Sequence, residues 1–453
     1  MRTDHEPASL TIRALEPDDG MDELFDLQCR AFGPMSAVDR PHWQAQRELD
    51  LRERRTLGAF DGPRLVAAGR FHHMVQWWCG RPVPMAGVAS VAVAPEQRGR
   101  GVGRTLMTAM LGEIASRGYP LSALFPSTLP LYRSLGWEIA GTSQEAVIPA
   151  HALRSLAAAD PAVPAAMTGR ETTGREMTGR EPAATTSQEP AGRESAGGGP
   201  REAGPRRAGA DDAAEALDIL GRVHREARDC GPNTRDEEVL RLALGSPGFY
   251  GYLADDGLLM YDWRHGHDEI FVRLCVAGSA RTTRELWGIV GSHCWIADTV
   301  RAWIGPADPL WWLTGEPVAD AVDHDDWMLR VVDPAAAIAA RGFPPAARLA
   351  AWLRITDTAR PANSGLWRLD IGDGRGSLTR HGELADGSAG GSAGASADGD
   401  VPLALGPRGL AALYAGIPVA TLRRAGLAVG GDPASDALLD GAFAATPFMI
   451  DRF

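Results

Sequence analysis

One stretch of this chain, Gly87 to Met107, constrains its fold more than any other. An apolar run from Gly87 to Ala94 is followed by a Gly/Arg-rich loop and then by apolar residues at helical spacing. The pattern predicts a buried strand, a loop, and a helix that buries Leu106, Met110 and Ile114. Such a turn directs main-chain N–H groups and the positive end of a helix dipole into one concave surface. The stretch therefore predicts an anion-binding site.

The loop itself alternates small and cationic residues, with glycine at 99, 101 and 103 and arginine at 98, 100 and 104. Glycine allows positive φ and close approach of the main chain to a phosphate, while guanidinium groups add charge. No Lys-Ser/Thr pair closes the loop and no metal ligand follows, which distinguishes it from a nucleotide P-loop. The alternative interpretation is a purely structural Arg/Gly turn.

The length and charge of the chain limit the remaining classes of protein. At 453 residues it should form two or three domains. It contains neither an 18-residue apolar run nor a basic-then-apolar leader, so we expect no membrane partner and a cytoplasmic location. The net charge of −12 argues against a nucleic-acid partner.

The cysteines and histidines give no sign of a metal site. The five cysteines are scattered without a Cys-x-x-Cys pair, and the histidines lack metal-ligand spacing. We therefore expect reduced thiols and no metal.

Changes in composition divide the chain into four parts: 1–154, a disordered linker at 155–208, 209–325 and 326–453. The linker contains near-repeats between 168 and 181, and a second Gly/Ser/Ala tract lies at 385–398. Within the third part, Pro309 to Thr314 is predicted as a strand. The last part is predicted to begin near Trp327.

Two motifs resemble those of a known superfamily. The pattern Gln/Arg-x-x-Gly-x-Gly directly after Val-Ala-Val-Ala-Pro95 resembles the acetyl-CoA pyrophosphate loop of the GNAT N-acetyltransferases. The segment Leu131-Tyr132-Arg-Ser-Leu-Gly-Trp137 resembles a second element of that superfamily. Nearly the whole chain is similar to the Eis (enhanced intracellular survival) branch, which Trp327-Met-Leu-Arg-Val-Val-Asp333, Leu438 to Phe443 and the terminal Phe453 also match.

The Eis resemblance implies an α+β fold with mixed sheets. It implies a GNAT acetyltransferase domain, a second and degenerate GNAT-like domain that lacks the loop, and a sterol-carrier-like C-terminal domain. It also implies acetyl-CoA as co-substrate, a small-molecule amine as acceptor and a homohexameric assembly. The acceptors expected from the family are aminoglycosides, lysine side chains or polyamines.

The resemblance also assigns roles to individual residues. It implies that the pantetheine arm is lined by Val91, Ala92 and Val93, that the pyrophosphate is bound by Gly99, Arg100, Gly101, Val102, Gly103 and Arg104, and that Ser127 and Thr128 complete the pocket. Tyr132 is the implied general acid, and the terminal carboxylate of Phe453 is the implied general base. Arg452 departs from what a cationic acceptor needs, because it places a cation beside that base.

Two alternatives stay open at the level of sequence. The chain could be a lipid or apolar-ligand carrier that works through its C-terminal domain, with the acetyltransferase fold as scaffold. It could also be an acyltransferase that uses a longer acyl-CoA.

Overall fold

The computed structural model describes residues 10–36, 40–158, 204–264, 266–314, 317–382 and 401–453 of the chain. The near-repeats at 168–181 and the tract at 385–398 lie outside these residues.

The first unit begins with a strand and two helices, and it continues as a sheet that is interrupted by a long helix. That long helix buries Leu106, Met110 and Ile114, as the spacing predicts. The elements of the unit are β1 (Thr11–Ala14), α1 (Met21–Phe32), α2 (Arg40–Arg52), β2 (Thr56–Asp61), β3 (Arg64–Trp78), β4 (Arg81–Val93), α3 (Val102–Ser116), β5 (Leu121–Leu124), α4 (Leu129–Arg133), β6 (Glu138–Pro149) and α5 (Arg154–Ala158).

The second unit repeats the order of helix, hairpin, helix and strand. Its elements are β7 (Arg206–Ala208), α6 (Ala213–Glu226), β8 (Cys230–Arg235), α7 (Glu237–Gly245), β9 (Phe249–Ala254), β10 (Gly257–Arg264), β11 (Glu269–Ala277), α8 (Ala280–Gly291), β12 (Thr299–Ile304), α9 (Leu310–Leu313) and β13 (Ala321–Val331).

The third unit packs helices on a small sheet with the order β16-β15-β14-β17-β18. Its elements are α10 (Pro334–Ala340), β14 (Leu349–Ile355), β15 (Gly365–Gly372), β16 (Arg375–Gly382), β17 (Leu403–Leu405), α11 (Pro407–Tyr414), α12 (Val419–Arg424), β18 (Ala428–Gly430) and α13 (Pro433–Phe443).

The first two units share one sheet. Its strand order is β1-β2-β3-β4-β5-β13-β6-β12-β11-β10-β9-β7, and β8 pairs with β3. The parallel strands β4 and β5 pair only from Met85 opposite Leu121 to Val88 opposite Leu124. Because β4 continues to Val93 while β5 ends at Leu124, the two strands part at this point.

Strand β13 corrects the predicted start of the last unit. Trp327 to Val331 does not open that unit but completes the shared sheet, antiparallel to both β5 and β6. Met328 packs in the same core cluster as the α3 residues of the first unit. The position of β13 is determined by main-chain pairing with β6, whose residues lie more than 170 positions earlier in the sequence. The local sequence pattern of a strand does not reveal such a distant partner.

Two further predictions are wrong in detail. Pro309 to Thr314 contains the short helix α9, because Pro309 has helical dihedral angles and the Asp308 side chain accepts a hydrogen bond from the Leu310 N–H at 2.9 Å. The ends of the predicted linker at 155–208 are also ordered, as α5 and as β7. Strand β7 pairs with β9, and its three residues are too few to show a periodic pattern.

A buried ion pair connects β13 to the third unit. The guanidinium of Arg330 on β13 contacts the carboxylate of Asp357, and both side chains are almost fully buried. The Asn363 amide donates a further hydrogen bond to Asp357 Oδ2 at 3.0 Å. The three groups fix the third unit against the shared sheet.

We expect Asp357→Asn to destabilise the protein, because the charge of Arg330 would stay buried without a carboxylate. Loss of one partner of a buried ion pair costs about 3–5 kcal/mol. The matched control is Asp373→Asn, since Asp373 is 89% exposed and pairs with the exposed Arg348. For such a pair we expect a loss of about 0–1 kcal/mol. Denaturant unfolding followed by tryptophan fluorescence measures both, and equal losses would contradict the assigned role of Arg330.

Candidate functional site

The Gly/Arg loop opens α3 as a concave cationic surface. Gly99 and Gly101 have φ of +76° and +83°, and a Cβ added at either would meet nothing within 4 Å. Gly101 occupies the N-cap position, and no side chain caps the helix there. The first N–H groups of α3 are therefore free to bind an anion.

The three arginines of the loop are Arg98, Arg100 and Arg104. All three are exposed, and none forms an ion pair with a described acidic residue. Arg100 donates instead to the Gln97 amide oxygen at 2.9 Å, and Arg98 donates to the Val93 carbonyl at 3.4 Å. Val102 differs from its neighbours, because its side chain packs in the core and only its main chain faces the loop. The loop thus combines free cations with free N–H groups.

A bulge in β4 lies next to the point where β4 and β5 part. Ser90 has φ of +53°, which is rare for a residue with a Cβ, and the pairing of β4 with β3 shifts register there. Beyond the bulge, Val93 and Ala92 pair with β3 on one side, and no strand among the described residues pairs with them on the other. The Arg98 side chain donates to the Val93 carbonyl, and the main-chain groups of Val91 to Val93 that point away from β3 have no partner strand among the described residues.

Helix α4 brings a buried phenol to the same region. A Cβ at Gly103 would contact the side chains of Val93 at 3.4 Å and Leu131 at 3.7 Å, so α3, the end of β4 and α4 meet here. Tyr132 on α4 is 4% exposed, and the exposed Ser127 side chain lies near its hydroxyl. Burial raises the pKa of the Tyr132 phenol above its ordinary value.

Thr128 precedes α4 at its N-cap position and is exposed, but its hydroxyl does not cap the helix. Its side chain is therefore available to another partner.

The chain terminus reaches the same face of the sheet. The Phe453 ring packs against Phe125 with centroids 5.6 Å apart and against His72 at 6.2 Å. A Cβ at Gly87 would lie 2.8 Å from the Phe453 ring, so glycine makes this approach possible. Gly87 belongs to the last paired stretch of β4 and β5, and the terminal residue therefore sits beside the point where these strands part.

Several contacts hold the terminal segment in place. The N–H of Phe448 donates to the Cys230 carbonyl at 3.1 Å, and the N–H of Met449 donates to the Thr142 carbonyl at 3.0 Å. Arg235 on β8 then binds both carboxylate oxygens of Asp451, at 2.7 and 2.8 Å. The segment is thus attached to the first and second units rather than to the third.

Arg452 is turned away from the terminal carboxylate towards β13. Its Nη1 lies 2.6 Å from Asp325 Oδ2, and its guanidinium stacks over the Phe125 ring at 5.0 Å. The sequence left open whether this cation reaches a binding pocket. Its charge is neutralised by Asp325, although its side chain still lines a cavity.

Two adjoining cavities lie between the helices of the first unit and the terminal segment. The α1–α2 cavity has about 320 Å³ and is lined in part by Gln28, Phe32, Trp43, Arg47, Arg70 and Ser90. The tail cavity has about 160 Å³ and is lined in part by Leu220, Thr234, Arg235, Trp303, Asp451 and Arg452. His42 and Gln46 line both cavities, so the two adjoin along α2.

Sequence reasoning missed the charged group on the wall of the α1–α2 cavity. Arg47 and Asp50 of α2 are both almost fully buried, with Arg47 Nη2 3.3 Å from Asp50 Oδ2. Arg70 of β3 contacts the same oxygen at 2.8 Å, and its Nε donates to the Ser90 hydroxyl at 3.3 Å. Charges three residues apart on a helix usually face solvent, so the sequence gives no sign of this burial.

The described ranges hold neither a cluster of metal-binding side chains nor a helix suited to cross a membrane. Those residues contain no group of three or more His, Cys, Asp or Glu that could hold a metal ion. None of the described helices is both long and apolar enough to cross a membrane.

We expect Asp451→Asn to loosen the terminal segment, because it weakens the bidentate contact with Arg235. A hydrogen bond between charged groups contributes about 1.5–3 kcal/mol, so main-chain hydrogen exchange of residues 448–453 should accelerate by roughly 10- to 100-fold. Mass spectrometry of the C-terminal peptide measures the exchange rate. Asp26→Asn is the control, since Asp26 is 63% exposed and pairs only with Arg30. An unchanged exchange rate in Asp451→Asn would show that Arg235 does not hold the segment.

Comparison with known families agrees with the three-unit organisation. Two family models described as acetyltransferase (GNAT) domain match residues 11–140 and 231–331. A model described as sterol carrier protein domain matches residues 334–450. The predicted fold class, with two GNAT domains and a sterol-carrier-like C-terminal domain, is therefore confirmed.

Three relatives are similar to this chain, and two of them cover 98% of it. An uncharacterised N-acetyltransferase from Streptomyces avermitilis is 37% identical over 136 residues, which span 29% of this chain and only 32% of that relative. Eis1 from Mycobacterium abscessus is 22% identical, covers 98% of this chain and 100% of its own with a TM-score of 0.66, and so shares the Eis-like fold predicted from the sequence. A GCN5-related N-acetyltransferase from Kribbella flavida is 39% identical over 98% of both chains, with a TM-score of 0.80. On that likeness over its full length, the chain belongs to the GCN5-related N-acetyltransferases.

Proposed function

We propose that this protein transfers the acetyl group of acetyl-CoA to the amine of a small molecule, in a ternary complex and without a metal. The observation that carries the proposal is the placement of three groups along the gap that opens where β4 and β5 part. These are the anion-binding loop at the start of α3, the buried phenol of Tyr132, and the terminal residue Phe453 seated on Gly87.

The coenzyme would bind along the parted strands. The main chain of Val91 to Val93 would bind the pantetheine arm, with Ser127 and Thr128 on the opposite side. The N–H groups and arginines between Gly99 and Arg104 would bind the pyrophosphate. This arrangement uses the unpaired side of β4 and the uncapped start of α3, and both need a polar partner.

The reaction requires two proton transfers. The acceptor amine attacks the acetyl carbonyl, a C–N bond forms, and the C–S bond to coenzyme A breaks. The Phe453 carboxylate would accept the amine proton through a water molecule, and the Tyr132 phenol would give its proton to the departing thiolate. An ordinary phenol has a pKa of about 10 and is protonated at neutral pH. Burial raises the pKa of Tyr132 further, so the proton is available when the thiolate forms. A terminal carboxylate has an ordinary pKa of about 3.3–3.7 and is ionised at neutral pH.

The carrier alternative receives no comparable support. A cavity lies beside the small sheet of the third unit, lined in part by Ala351, Trp352 and Leu439. It has a volume of about 10 Å³, which is room for about one water molecule. A lipid chain would need a much larger space.

Family resemblance also suggests a cytoplasmic homohexamer, and it suggests aminoglycosides, lysine side chains or polyamines as acceptors. Trp295 and Trp312 are 81% and 70% exposed, and large exposed aromatic side chains are typical of contact surfaces. Light scattering of the full chain in solution would test the assembly.

We expect Tyr132→Phe to lower kcat by about 10²–10⁴, because removal of a general acid typically has this effect. The KM for acetyl-CoA should change little. The matched control is Tyr119→Phe, which removes another buried phenol of the first unit, one that contacts His73 at 3.0 Å. Steady-state release of the coenzyme A thiol, with a panel of amines and with acetyl-CoA or longer acyl-CoA, measures turnover. Equal losses in the two variants would remove Tyr132 from the chemistry.

We expect the position of the terminal carboxylate to be essential for turnover. A chain that lacks Phe453, and a chain extended by one glycine, should both lose about 10²-fold or more in kcat while still binding acetyl-CoA. Phe453→Leu keeps the carboxylate in place and is the control. The affinity tag must be at the N-terminus. Full turnover by the glycine-extended chain would exclude the terminal carboxylate as the base and leave the acetyltransferase activity intact.

A further inference from the structure

We infer that the acceptor amine also carries an anionic group, and that Arg47 and Arg70 bind this group in the α1–α2 cavity. The inference rests on the proposed acetyl transfer and narrows its substrate class. Such an acceptor has an amine at one end and a carboxylate or comparable anion at the other. It differs in kind from a polyamine or an aminoglycoside, both of which carry several cations.

Arg47 is a buried cation with incomplete partners. Its side chain is 1% exposed, yet it lines the α1–α2 cavity. Its Nε has no hydrogen-bond partner, and its contact with Asp50 is 3.3 Å long. Burial of a guanidinium without full hydrogen bonding costs free energy, which an anionic ligand in the cavity would recover.

The single carboxylate near Arg47 is shared. Asp50 Oδ2 also receives the shorter contact from Arg70, at 2.8 Å, so two guanidinium groups face one carboxylate. Asp50 does not line the cavity, and no described Asp or Glu does. Burial raises the pKa of Asp50 to about 6, so this carboxyl stays mostly ionised near neutral pH and supplies one negative charge against two guanidinium groups. The cavity wall is therefore cationic.

Other buried arginines of this chain also leave Nε without a partner, but fixed groups of the protein bind their terminal nitrogens. Arg341 donates to the carbonyls of Tyr414 and Phe443, and Arg330 contacts Asp357 and the Val331 carbonyl. Neither of these arginines lines either cavity. Arg47 differs because it combines poor pairing with access to a cavity.

The cavity connects the cationic wall to the reaction centre. Ser90 lines it, and Ser90 forms the bulge immediately before the coenzyme-facing stretch Val91 to Val93. A bound molecule could therefore place its amine near the bulge while its anion contacts Arg47. The Phe453 carboxylate would then face the amine, so that opposite charges meet at both ends of the acceptor.

The adjoining tail cavity does not offer a site for a second cation. Asp451 is its one described acidic lining residue, and Arg235 occupies both oxygens of that carboxylate. Arg273 and Arg452 line the cavity too and pair with Asp262 and Asp325, respectively. A polycationic acceptor would find no free carboxylate among the described lining residues.

The test compares acceptors that differ only in the charge at one end. We expect 5-aminopentanoate to have a kcat/KM at least tenfold higher than 5-aminopentanamide and 1,5-diaminopentane in the coenzyme A release assay. Four carbons separate the amine from the altered group, so its reactivity stays nearly constant. The homologues with three to seven carbons should be included, since the span from Arg47 to the bulge sets the preferred length.

Two variants test whether the preference for the carboxylate-bearing acceptor arises from the α1–α2 cavity. Arg47→Met keeps most of the side-chain volume and should remove the tenfold preference for the carboxylate over the amide. Arg52→Met on the same helix is the control, because Arg52 is 60% exposed and lines neither cavity. Gln46→Glu leaves Arg47 intact, adds a carboxylate to the wall and should shift the preference towards the diamine. It also serves if Arg47→Met does not fold.

The outcomes separate the inference from the proposed function. Turnover of amines without a preference for the carboxylate, or with a preference that Arg47→Met and Gln46→Glu leave unchanged, would overturn the anion site and keep the acetyltransferase. If no amine is turned over, thermal stabilisation by millimolar 5-acetamidopentanoate decides. Stabilisation that Arg47→Met abolishes and Arg52→Met retains would support the anion site, and its absence in the unmodified chain would reject it.

Discussion

The main-chain hydrogen bonds on both sides of β13 are the interaction on which the rest of this structure depends. Without β13, β5 and β6 would expose buried N–H and C=O groups in the middle of the molecule. The strand is supplied by the end of the second unit, so the first unit is complete only when the second has folded. The same strand also carries Arg330 towards the third unit and Asp325 towards Arg452. One strand therefore sets the relative positions of the coenzyme loop, the sterol-carrier-like unit and the chain terminus.

The terminal segment is held against the shared sheet by main-chain hydrogen bonds. Thr142 lies on β6 and Cys230 on β8, and both offer carbonyl oxygens to the main chain of the segment. Gly141 permits the contact, because a Cβ there would lie 2.3 Å from the Pro447 carbonyl oxygen. Without these contacts the terminal carboxylate would be mobile, and a mobile carboxylate would be poorly positioned to act as a base. Here the segment crosses strands of two units before Phe453 packs on Gly87, so the proposed base would be held in a fixed position.

The parts of the site that the sequence predicted are those determined by local chemistry. The Gly/Arg loop and helix α3 follow from short-range spacing, where glycine and helical periodicity act directly, whereas Tyr132 was assigned by the resemblance of its segment to a superfamily motif. The parts that it missed depend on partners distant in sequence. The residues Trp327 to Val331 of β13 were placed in the last unit because their pattern is that of any buried strand. Helix α9 was missed because the helical turn at Pro309 interrupts an apolar run that otherwise resembles a strand. The burial of Arg47 depends on which face of α2 meets β3.

Arginine supplies every cationic side chain in this protein other than histidine, since the chain contains no lysine. The role of a buried guanidinium depends on how many groups of the protein bind it. Arg341 lies among the rings of Trp78, Phe343, Tyr414 and Phe443 at 4.6–5.4 Å and donates to two carbonyls, so its charge stabilises the contact between units. Arg47 has one shared carboxylate and an open cavity instead. A buried guanidinium with enough fixed partners stabilises the fold. A buried guanidinium with too few partners, lying beside a cavity, favours an anionic ligand. The inferred acceptor supplies, through its anionic group, the negative charge that the wall of the α1–α2 cavity lacks.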